Sequence, residues 1–341
     1  MFRFDVKDMP SISVVLPVYN GSSHLGRAID SILIQNFRDF ELNIVNDGSS
    51  DDSEEIIKNI SDARINYVNQ SNQGLAATLN NAIRLSKGNF IARLDQDDLM
   101  LQSRLAKQME YLELNPDCAM VGTWSEILAG VTSVNRWHKH PSSYEALQLE
   151  LLFDNPFVHS SVMMRVDVLR ELGGYSEDKL RQPPEDYELW SRIARKYQVA
   201  NIPEVLTVYR EVEGSMSRVS DNPFLKNVIK ISAENIATIL SPKFSAEECY
   251  LLASAYHGSR PDNKNNTLTR SCALLMHKEA AVSIGGESSK WSEEFSASYD
   301  RQRLQIRSQF TKRFLPSSLL KPMRIVRNFI TQSVSRILGD H

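Results

Sequence analysis

Several features are scarce in this sequence, and each absence excludes something. Its 341 residues include only three cysteines, and their scattered positions lack the spacing of a metal site. They are Cys118, Cys249 and Cys272, expected to be reduced thiols as in a cytosolic protein. No apolar run approaches the roughly 18 residues of a membrane span, and no basic segment followed by an apolar one opens the chain. We therefore expect neither secretion nor a membrane-spanning helix.

The net charge is only −3, so the chain also lacks a large excess of charge of either sign. We expect no nucleic-acid partner. Residues 301–339 nevertheless contain nine basic side chains and no acidic one. Apolar residues recur three or four positions apart between 323 and 338, which is typical of a basic amphipathic helix at an anionic membrane surface. The alternative is a helix that packs on the rest of the chain or on a second subunit, as in a homodimer.

Residues 11–123 alternate short apolar runs with helical patterns. Four strands are predicted by the runs at 12–16, 40–45, 65–68 and 90–94. Apolar strands separated by helices are typical of a mostly parallel sheet flanked by helices, in an α/β fold. Ligands of such sheets bind beyond the carboxyl ends of the strands, so we expect those ends to converge on one cleft. Residues 10–219 are predicted to form this domain, and residues 220–341 a helical C-terminal region.

The run Asp95-Gln96-Asp97-Asp98 is the most informative segment, and it directly follows the fourth predicted strand. Carboxylates crowded at the end of a buried strand repel one another and lose hydration. A divalent cation offsets both costs, and oxygen ligands suit Mg²⁺ or Mn²⁺. Such a cation in turn neutralises a diphosphate, so the run suggests an enzyme that acts on a nucleotide-diphosphate substrate. The alternative is a solvated acidic turn that caps the next helix.

Short motifs follow one another in a definite order along the first two thirds of the chain. They are Pro17-Val18-Tyr19-Asn20, residues 31–35, residues 46–51, Asn72-Gln73-Gly74, the acidic run, His159-Ser160-Ser161, residues 172–175 and residues 185–190. This ordered set resembles the family 2 glycosyltransferases, a large inverting group with the GT-A fold. The resemblance covers roughly residues 11–215 and depends on the order, because each motif alone is weak.

The resemblance implies a nucleotide-diphosphate sugar, usually linked to UDP, as the donor, and Mn²⁺ or Mg²⁺ as the cofactor. The family's acid at the position of Asp47 accepts a hydrogen bond from the base, although an ordinary turn residue is the alternative. Asp95, Asp97 and Asp98 share contacts with the ribose and the metal, and Asp97 is favoured for the metal. The other expected donor-side residues are Pro17, Tyr19, Asn20, Asn72, Gly74 and Gln96.

Asp186 is predicted to be the general base. It follows a Pro-Pro pair at a predicted helix start, where the helix dipole favours the ionised carboxylate. An ionised carboxylate can take a proton from an acceptor hydroxyl, and the resemblance places Asp186 in the family's catalytic segment. The alternative is an ordinary acid in a first helical turn. On the acceptor side we expect Glu185, His159 and Trp137, with a core histidine and an exposed loop aromatic as the alternatives for the last two.

Two positions depart from the family pattern. Leu79 stands before Asn80 where many members carry an arginine, and no histidine follows Tyr209-Arg210. These departures leave the contacts to the diphosphate open, but they do not affect the class of enzyme.

The sequence therefore predicts metal-dependent, inverting transfer of one hexosyl or N-acetylhexosaminyl group to a glycan or lipid-linked glycan in surface polysaccharide synthesis. We expect the enzyme in the cytoplasm, at the inner face of the cell membrane if the basic tail binds lipid. A sugar nucleotidyltransferase is one rival, but it would carry a glycine-rich loop with a basic residue after the first strand. A glycan- or nucleotide-binding module on an inactive scaffold is another, and the presence of both Asp97 and Asp186 argues against it.

Overall fold

The structure is a computed structural model that describes residues 9–129, 132–211, 223–259 and 268–312. The predicted basic amphipathic helix at 323–338 lies outside these residues. Within them, no helix combines the length and the apolar character needed to cross a bilayer.

The N-terminal half of the sheet is parallel, as predicted. Its strands lie in the order β3-β2-β1-β4, with bounds β1 Ile12–Val18, β2 Phe40–Asp47, β3 Ile65–Gln70 and β4 Phe90–Arg93. The connecting helices are α1 Ser22–Leu33, α2 Ser53–Lys58 and α3 Leu75–Leu85. Every residue of β1 and β2 is buried, which is the pattern of parallel strands covered on both faces.

The other half of the sheet is mixed. From β4 the order continues β8-β6-β9-β5, and β7 pairs with β6. The bounds are β5 Leu99–Met100, β6 Cys118–Ala129, β7 Thr132–His138, β8 Met163–Arg165 and β9 Gln198–Glu211. β6 and β9 are parallel, whereas β5, β7 and β8 run antiparallel to their neighbours. The described residues thus form a nine-stranded sheet in which only the first half is wholly parallel.

Residues 161–164 read as strand-like in the sequence, but only the last two of them belong to a strand. A 3₁₀ turn occupies His159–Ser161, and β8 starts at Met163. The Ser161 hydroxyl donates to the carbonyl of Val158 at 2.8 Å, and such local hydrogen bonds compete with strand pairing.

Helices flank the sheet and form the predicted helical C-terminal region. The bounds of the helices after β5 are α4 Arg104–Leu114, α5 Tyr144–Glu150, α6 Val166–Leu172, α7 Glu185–Ala194, α8 Phe224–Leu240, α9 Ala246–Tyr256, α10 Arg270–Gly285 and α11 Glu293–Lys312. A capping box starts α9, because the Ser245 hydroxyl accepts the Glu248 amide while the Glu248 carboxylate accepts the Ser245 amide.

Three apolar cores hold the described part of the molecule together. Neighbouring residues of β1 belong to different cores, because successive side chains of a strand point to opposite faces, as Val14 and Val15 do. The third core combines Leu149 and Phe153 with side chains of α8 to α11. The boundary between residues 219 and 220 remains a prediction, and this third core is shared across it.

Candidate functional site

A cleft of about 980 Å³ lies at the carboxyl ends of β1, β2 and β4, where the parallel strands predicted it. One group of lining residues, called here the strand-end side, comprises Pro17, Val18, Tyr19, Asp47, Asn72, Gly74, Asp95, Gln96 and Asp97. A second group, called the α7 side, comprises Asp154, Asn155, Phe157, Val158, His159, Pro183, Pro184, Glu185, Asp186 and Tyr187. All the predicted site residues except Asn20, Asp98 and Trp137 are among the described residues that line this cleft.

The acidic run forms a cluster that fits a divalent cation. Asp95, Asp97 and Asp98 each present a carboxylate oxygen, and these oxygens lie within 4.8 Å of one another. Burial, followed by the charge of Asp95, raises the pKa of Asp97 to about 6. Burial and the charges of Asp95 and Asp97 raise the pKa of Asp98 well above its ordinary value. A divalent cation would relieve this repulsion, and oxygen ligands of this kind suit Mg²⁺ or Mn²⁺.

Asp98 lies behind the cleft surface rather than on it. Its side chain is buried, and its Oδ1 atom accepts the backbone N–H of Arg210 at 2.7 Å. Its Oδ2 atom is also buried and has no hydrogen-bond partner among the described residues. An unpartnered buried carboxylate oxygen is costly, so this atom is a further sign that the cluster suits a cation.

Asp95 is held by a buried arginine that the motifs did not identify. Both terminal nitrogens of Arg93 donate to the Asp95 carboxylate, and the Arg93 side chain is 1% exposed. The Ser160 hydroxyl donates to the same carboxylate at 3.0 Å. The available signal was the single charge within the apolar run at 90–94, because a charge inside a buried strand needs a partner.

Asp47 brings two of the predicted motifs together. Its carboxylate accepts hydrogen bonds from the side chain of Gln70 at 2.8 Å and from the backbone N–H groups of Gln73 and Gly74 at 2.8 and 2.9 Å. Gly74 adopts a φ of +88°, which favours glycine at this turn. Since a carboxylate offers about four acceptor positions, these three bonds leave room for one more. Its role as a contact to the base stays a prediction.

Side-chain contacts to the backbone hold the rim formed by Tyr19, Asn20 and Gln96. The Gln96 side chain accepts the Tyr19 N–H at 2.8 Å and donates to the Tyr19 carbonyl at 3.0 Å. The Asn20 side chain accepts the backbone N–H of Ser50 at 2.8 Å. These bonds leave Tyr19 50% exposed beside the cleft. The expected contacts of the three residues with a nucleotide stay predictions.

Asp186 lies in the first turn of α7, as predicted, and both of its oxygens accept hydrogen bonds. Oδ1 accepts the backbone N–H of Tyr187 at 2.7 Å, and Oδ2 accepts the side-chain amide of Asn155 at 2.8 Å. Burial raises the pKa of Asp186, while the Tyr187 N–H and the charge of Arg93 oppose the shift. Burial and the charge of Asp186 raise the pKa of Glu185 to about 7.

His159 packs in an aromatic group at the base of the cleft. Its Nε2 atom lies 2.9 Å from the Tyr175 hydroxyl, and its ring meets Trp190 edge-on at 5.7 Å between centroids. Burial and the charge of Arg93 lower the pKa of His159 well below its ordinary value, which favours the neutral ring. His159 therefore both packs against core side chains and lines the cleft. Its acceptor-side role stays a prediction.

Trp137 lies on β7, and its side chain is 46% exposed. It is not among the described residues that line the cleft, whereas its neighbour His138 is. Alternation along a strand explains the difference, since successive side chains point to opposite faces. The expected contact between Trp137 and an acceptor stays a prediction.

Leu79 is fully buried in the apolar core, so no polar group occupies the position where the family often has arginine. The adjacent Asn80 instead holds the segment that follows α6. Its side chain accepts the Tyr175 N–H and donates to the Tyr175 carbonyl, each at 2.9 Å.

The sequence is similar to those of known glycosyltransferases. The model of glycosyl transferase family 2 matches residues 13–173. An uncharacterized glycosyltransferase of Haemophilus influenzae is 30% identical over 248 residues, which are 69% of this chain and 76% of that protein. The O-antigen biosynthesis glycosyltransferase WbnJ of Escherichia coli is 33% identical over 207 residues, which are 58% of this chain and 79% of that protein.

Solved structures share the fold. Staphylococcus aureus TarS, residues 1–349 in complex with UDP-GlcNAc, is 16% identical with a TM-score of 0.58, and the match covers 88% of this chain and 89% of that 1–349 fragment. The mannosyltransferase PcManGT from Pyrobaculum calidifontis, in complex with GDP-Man and Mn²⁺, is 16% identical with a TM-score of 0.52 and coverages of 89% and 85%. The expected α/β fold of the GT-A type is thereby confirmed.

Proposed function

Since this chain belongs to glycosyl transferase family 2, we propose that it transfers one sugar from a nucleotide-diphosphate donor to a hydroxyl of a glycan or lipid-linked glycan. One observation carries the proposal. A single cleft joins an acidic cluster that fits a cation to a buried carboxylate at the start of α7. The first feature suits a diphosphate, and the second suits the activation of a hydroxyl group.

The strand-end side is the proposed donor site. Asp95, Asp97 and Asp98 would hold Mn²⁺ or Mg²⁺, and the bound cation would offset the negative charge of the departing diphosphate. The remaining acceptor position of Asp47 suits an N–H of the base, and uracil offers an imide N–H where cytosine offers none. The half-exposed Tyr19 ring would pack on the base. A UDP-sugar is therefore the donor that we propose.

Similar proteins support this choice of substrates. TarS was solved with UDP-GlcNAc, and PcManGT with GDP-Man and Mn²⁺. WbnJ is described as an enzyme of O-antigen biosynthesis, which supports a surface polysaccharide as the product. Since the sugars of the two complexes differ, both hexosyl and N-acetylhexosaminyl donors belong in a test.

Asp186 is the proposed general base. Its ionised carboxylate takes the proton of the acceptor hydroxyl as that oxygen attacks the anomeric carbon. The bond from the anomeric carbon to the diphosphate breaks in the same step, and the leaving group carries away the electron pair. A single in-line displacement of this kind inverts the configuration at the anomeric carbon.

The test begins with a panel of UDP-, GDP- and other nucleotide sugars, screened by thermal shift with Mn²⁺. Donors that bind are then assayed for nucleotide release with glycan acceptors, and NMR gives the anomeric configuration of the product. We expect a β-linked product from an α-linked donor. Retention of configuration would contradict the proposed mechanism. Binding without nucleotide release would instead identify a binding module, and formation of a sugar nucleotide from a sugar phosphate would identify a nucleotidyltransferase.

The location of the reaction is a separate proposal. The basic residues at 301–339 would draw the enzyme to the anionic inner face of a cell membrane, where a lipid-linked acceptor would be available. The alternative role for the same residues is a contact between two subunits.

A further inference from the structure

Asn155 is an α7-side residue that none of the sequence motifs includes. Its side-chain Nδ2 donates to Oδ2 of Asp186 at 2.8 Å. Its Oδ1 accepts the backbone N–H of Phe157 at 3.1 Å. Because this second bond requires an acceptor, it fixes the orientation of the amide, and only the NH₂ group can face Asp186.

The residue before Asn155 is tied to the C-terminal helices. The carboxylate of Asp154 accepts the hydroxyl of Tyr256, at the end of α9, at 2.6 Å. The ring of Tyr256 stacks on Phe153 with 4.1 Å between centroids. The hydrogen bond and the stacking hold the end of α9 against the segment that carries Asn155.

Two other C-terminal helices fix the start of the same segment. In α8, Asn235 donates to the carbonyl of Leu151, and Ser232 to that of Leu152, each at 2.6 Å. In α11, Gln302 donates to the carbonyl of Leu149 at 2.8 Å. Side chains of three C-terminal helices, α8, α9 and α11, therefore contact the segment that leads to Asn155.

We propose that Asn155 is a positioning residue for Asp186, and that the C-terminal helices set its position through the contact of Tyr256 with Asp154. The inference rests on the proposed function, in which Asp186 is the base. A donor on Oδ2 holds the carboxylate in one plane and stabilises its ionised form. Without this bond the carboxylate would turn, and its pKa would rise further.

Besides the hydrogen bond from Asn155, several charged or titratable groups act on Asp186. Glu185 precedes it on the same helix, and the others come from neighbouring elements: Arg93 of β4, Asp95 beyond β4 and Tyr175 before α7. None of them is altered by a substitution of Asn155. A change in the pH profile of such a variant would therefore report on the contact between Asn155 and Asp186.

The test compares pH profiles of kcat in the full chain. Turnover requires ionised Asp186, so kcat rises with pH through the raised pKa of this group. In Asn155→Ala we expect kcat to fall roughly 10- to 100-fold, as for the loss of a hydrogen bond to a charged group. The acidic limb should move up by about one pH unit. The KM for the donor should stay close to that of the wild type, because Asn155 lies on the α7 side.

A milder pair of variants tests the link to α9. Tyr256→Phe removes one hydroxyl and keeps the ring stacked on Phe153, and we expect a fall in kcat of roughly threefold to tenfold. Tyr250→Phe is the matched control, since Tyr250 lies on the same helix with its side chain 42% exposed, and kcat should not change. The Tyr256→Phe result also keeps the test decisive if Asn155→Ala fails to fold.

The variant Asp186→Asn separates failure of this inference from failure of the proposed function. If Asp186→Asn keeps wild-type turnover, Asp186 is not the base, and both proposals fail. If Asp186→Asn loses turnover while Asn155→Ala and Tyr256→Phe keep the wild-type kcat and acidic limb, only the positioning role is overturned.

Discussion

The two sides of the cleft are built from the sequence in different ways. The strand-end side consists of short motifs between residues 17 and 97, which follow strands of a regular β/α repeat. The α7 side combines residues 154–159 with 183–187, and Tyr256 supports it from α9. The match to the family model ends at residue 173, before α7 and the C-terminal helices. The first side can therefore be recognised from local sequence. On the second side only His159, Glu185 and Asp186 can be recognised in this way, and the rest depends on tertiary contacts.

Arg93 is the physical link between the two sides. Its guanidinium donates to Asp95 on the strand-end side, and its charge opposes the rise in pKa of Glu185 and Asp186 on the α7 side. One buried cation thus serves acidic groups in both halves of the cleft. Asp95 and Ser160 fix the position of this cation through hydrogen bonds with its guanidinium.

The largest effect is expected on the strand-end side. Asp97→Ala, or chelation of the wild type by EDTA, should abolish transfer and weaken nucleotide binding, because the charge on the diphosphate is no longer offset. Titration calorimetry and the nucleotide-release assay measure the two effects. Mn²⁺ or Mg²⁺ should restore the chelated wild type but not the variant.

Asp117→Ala is the matched control for this substitution, because Asp117 is an exposed acid outside the described cleft lining. It should behave as the wild type. Full activity in the presence of chelator would make the acidic cluster a ribose site or a structural turn.

A smaller effect is expected where α3 meets the segment between α6 and α7. Asn80→Ala removes both hydrogen bonds to the Tyr175 backbone and one to the Glu177 carboxylate at 2.8 Å. The unpaired groups should lower the free energy of unfolding by about 1–3 kcal/mol, measured by urea denaturation. The exposed Asn59, at the end of α2, provides the control variant Asn59→Ala. Equal stability of the two variants would show that this segment does not depend on Asn80.

The smallest effect on the cleft is expected from the C-terminal tail. Deletion of residues 313–341, which begin after α11, should leave nucleotide binding intact while removing binding to anionic liposomes at low salt. If the intact protein ignores such liposomes, or if the truncated protein unfolds, the tail is a packing or dimer element.

The parallel half of the sheet and the strand-end side could be predicted because each depends on residues that are close together in the sequence. Strands β1 to β4 appear as apolar runs, and the places of Asp47 and Asp95 follow from their positions at strand ends. The pairing of β6 with β9 could not be predicted in this way. Its register shifts several times, and it joins residues as distant in sequence as Cys118 and Gln198.

Dependence on distant contacts also explains why two site residues, Arg93 and Asn155, could not be identified from the sequence. In the sequence Arg93 is only an isolated charge in an apolar run, and its role becomes clear from its hydrogen bonds to Asp95. Asn155 has no signature of its own, because its importance comes from the nearness of Asp186, 31 residues later. An aromatic side chain such as Trp137 suggests a contact with sugar, but sequence alone does not show which face of β7 meets the cleft, where His138 lies.

The variant Asp186→Asn tests whether binding and catalysis reside on different sides of the cleft. Nucleotide affinity in the presence of Mn²⁺ and the rate of sugar transfer would be measured on the same preparation. We expect nearly unchanged affinity and a rate lowered by roughly 10²-fold or more, the usual scale for loss of a general base. Near wild-type transfer, or a loss of affinity as large as the loss of rate, would contradict this division of roles.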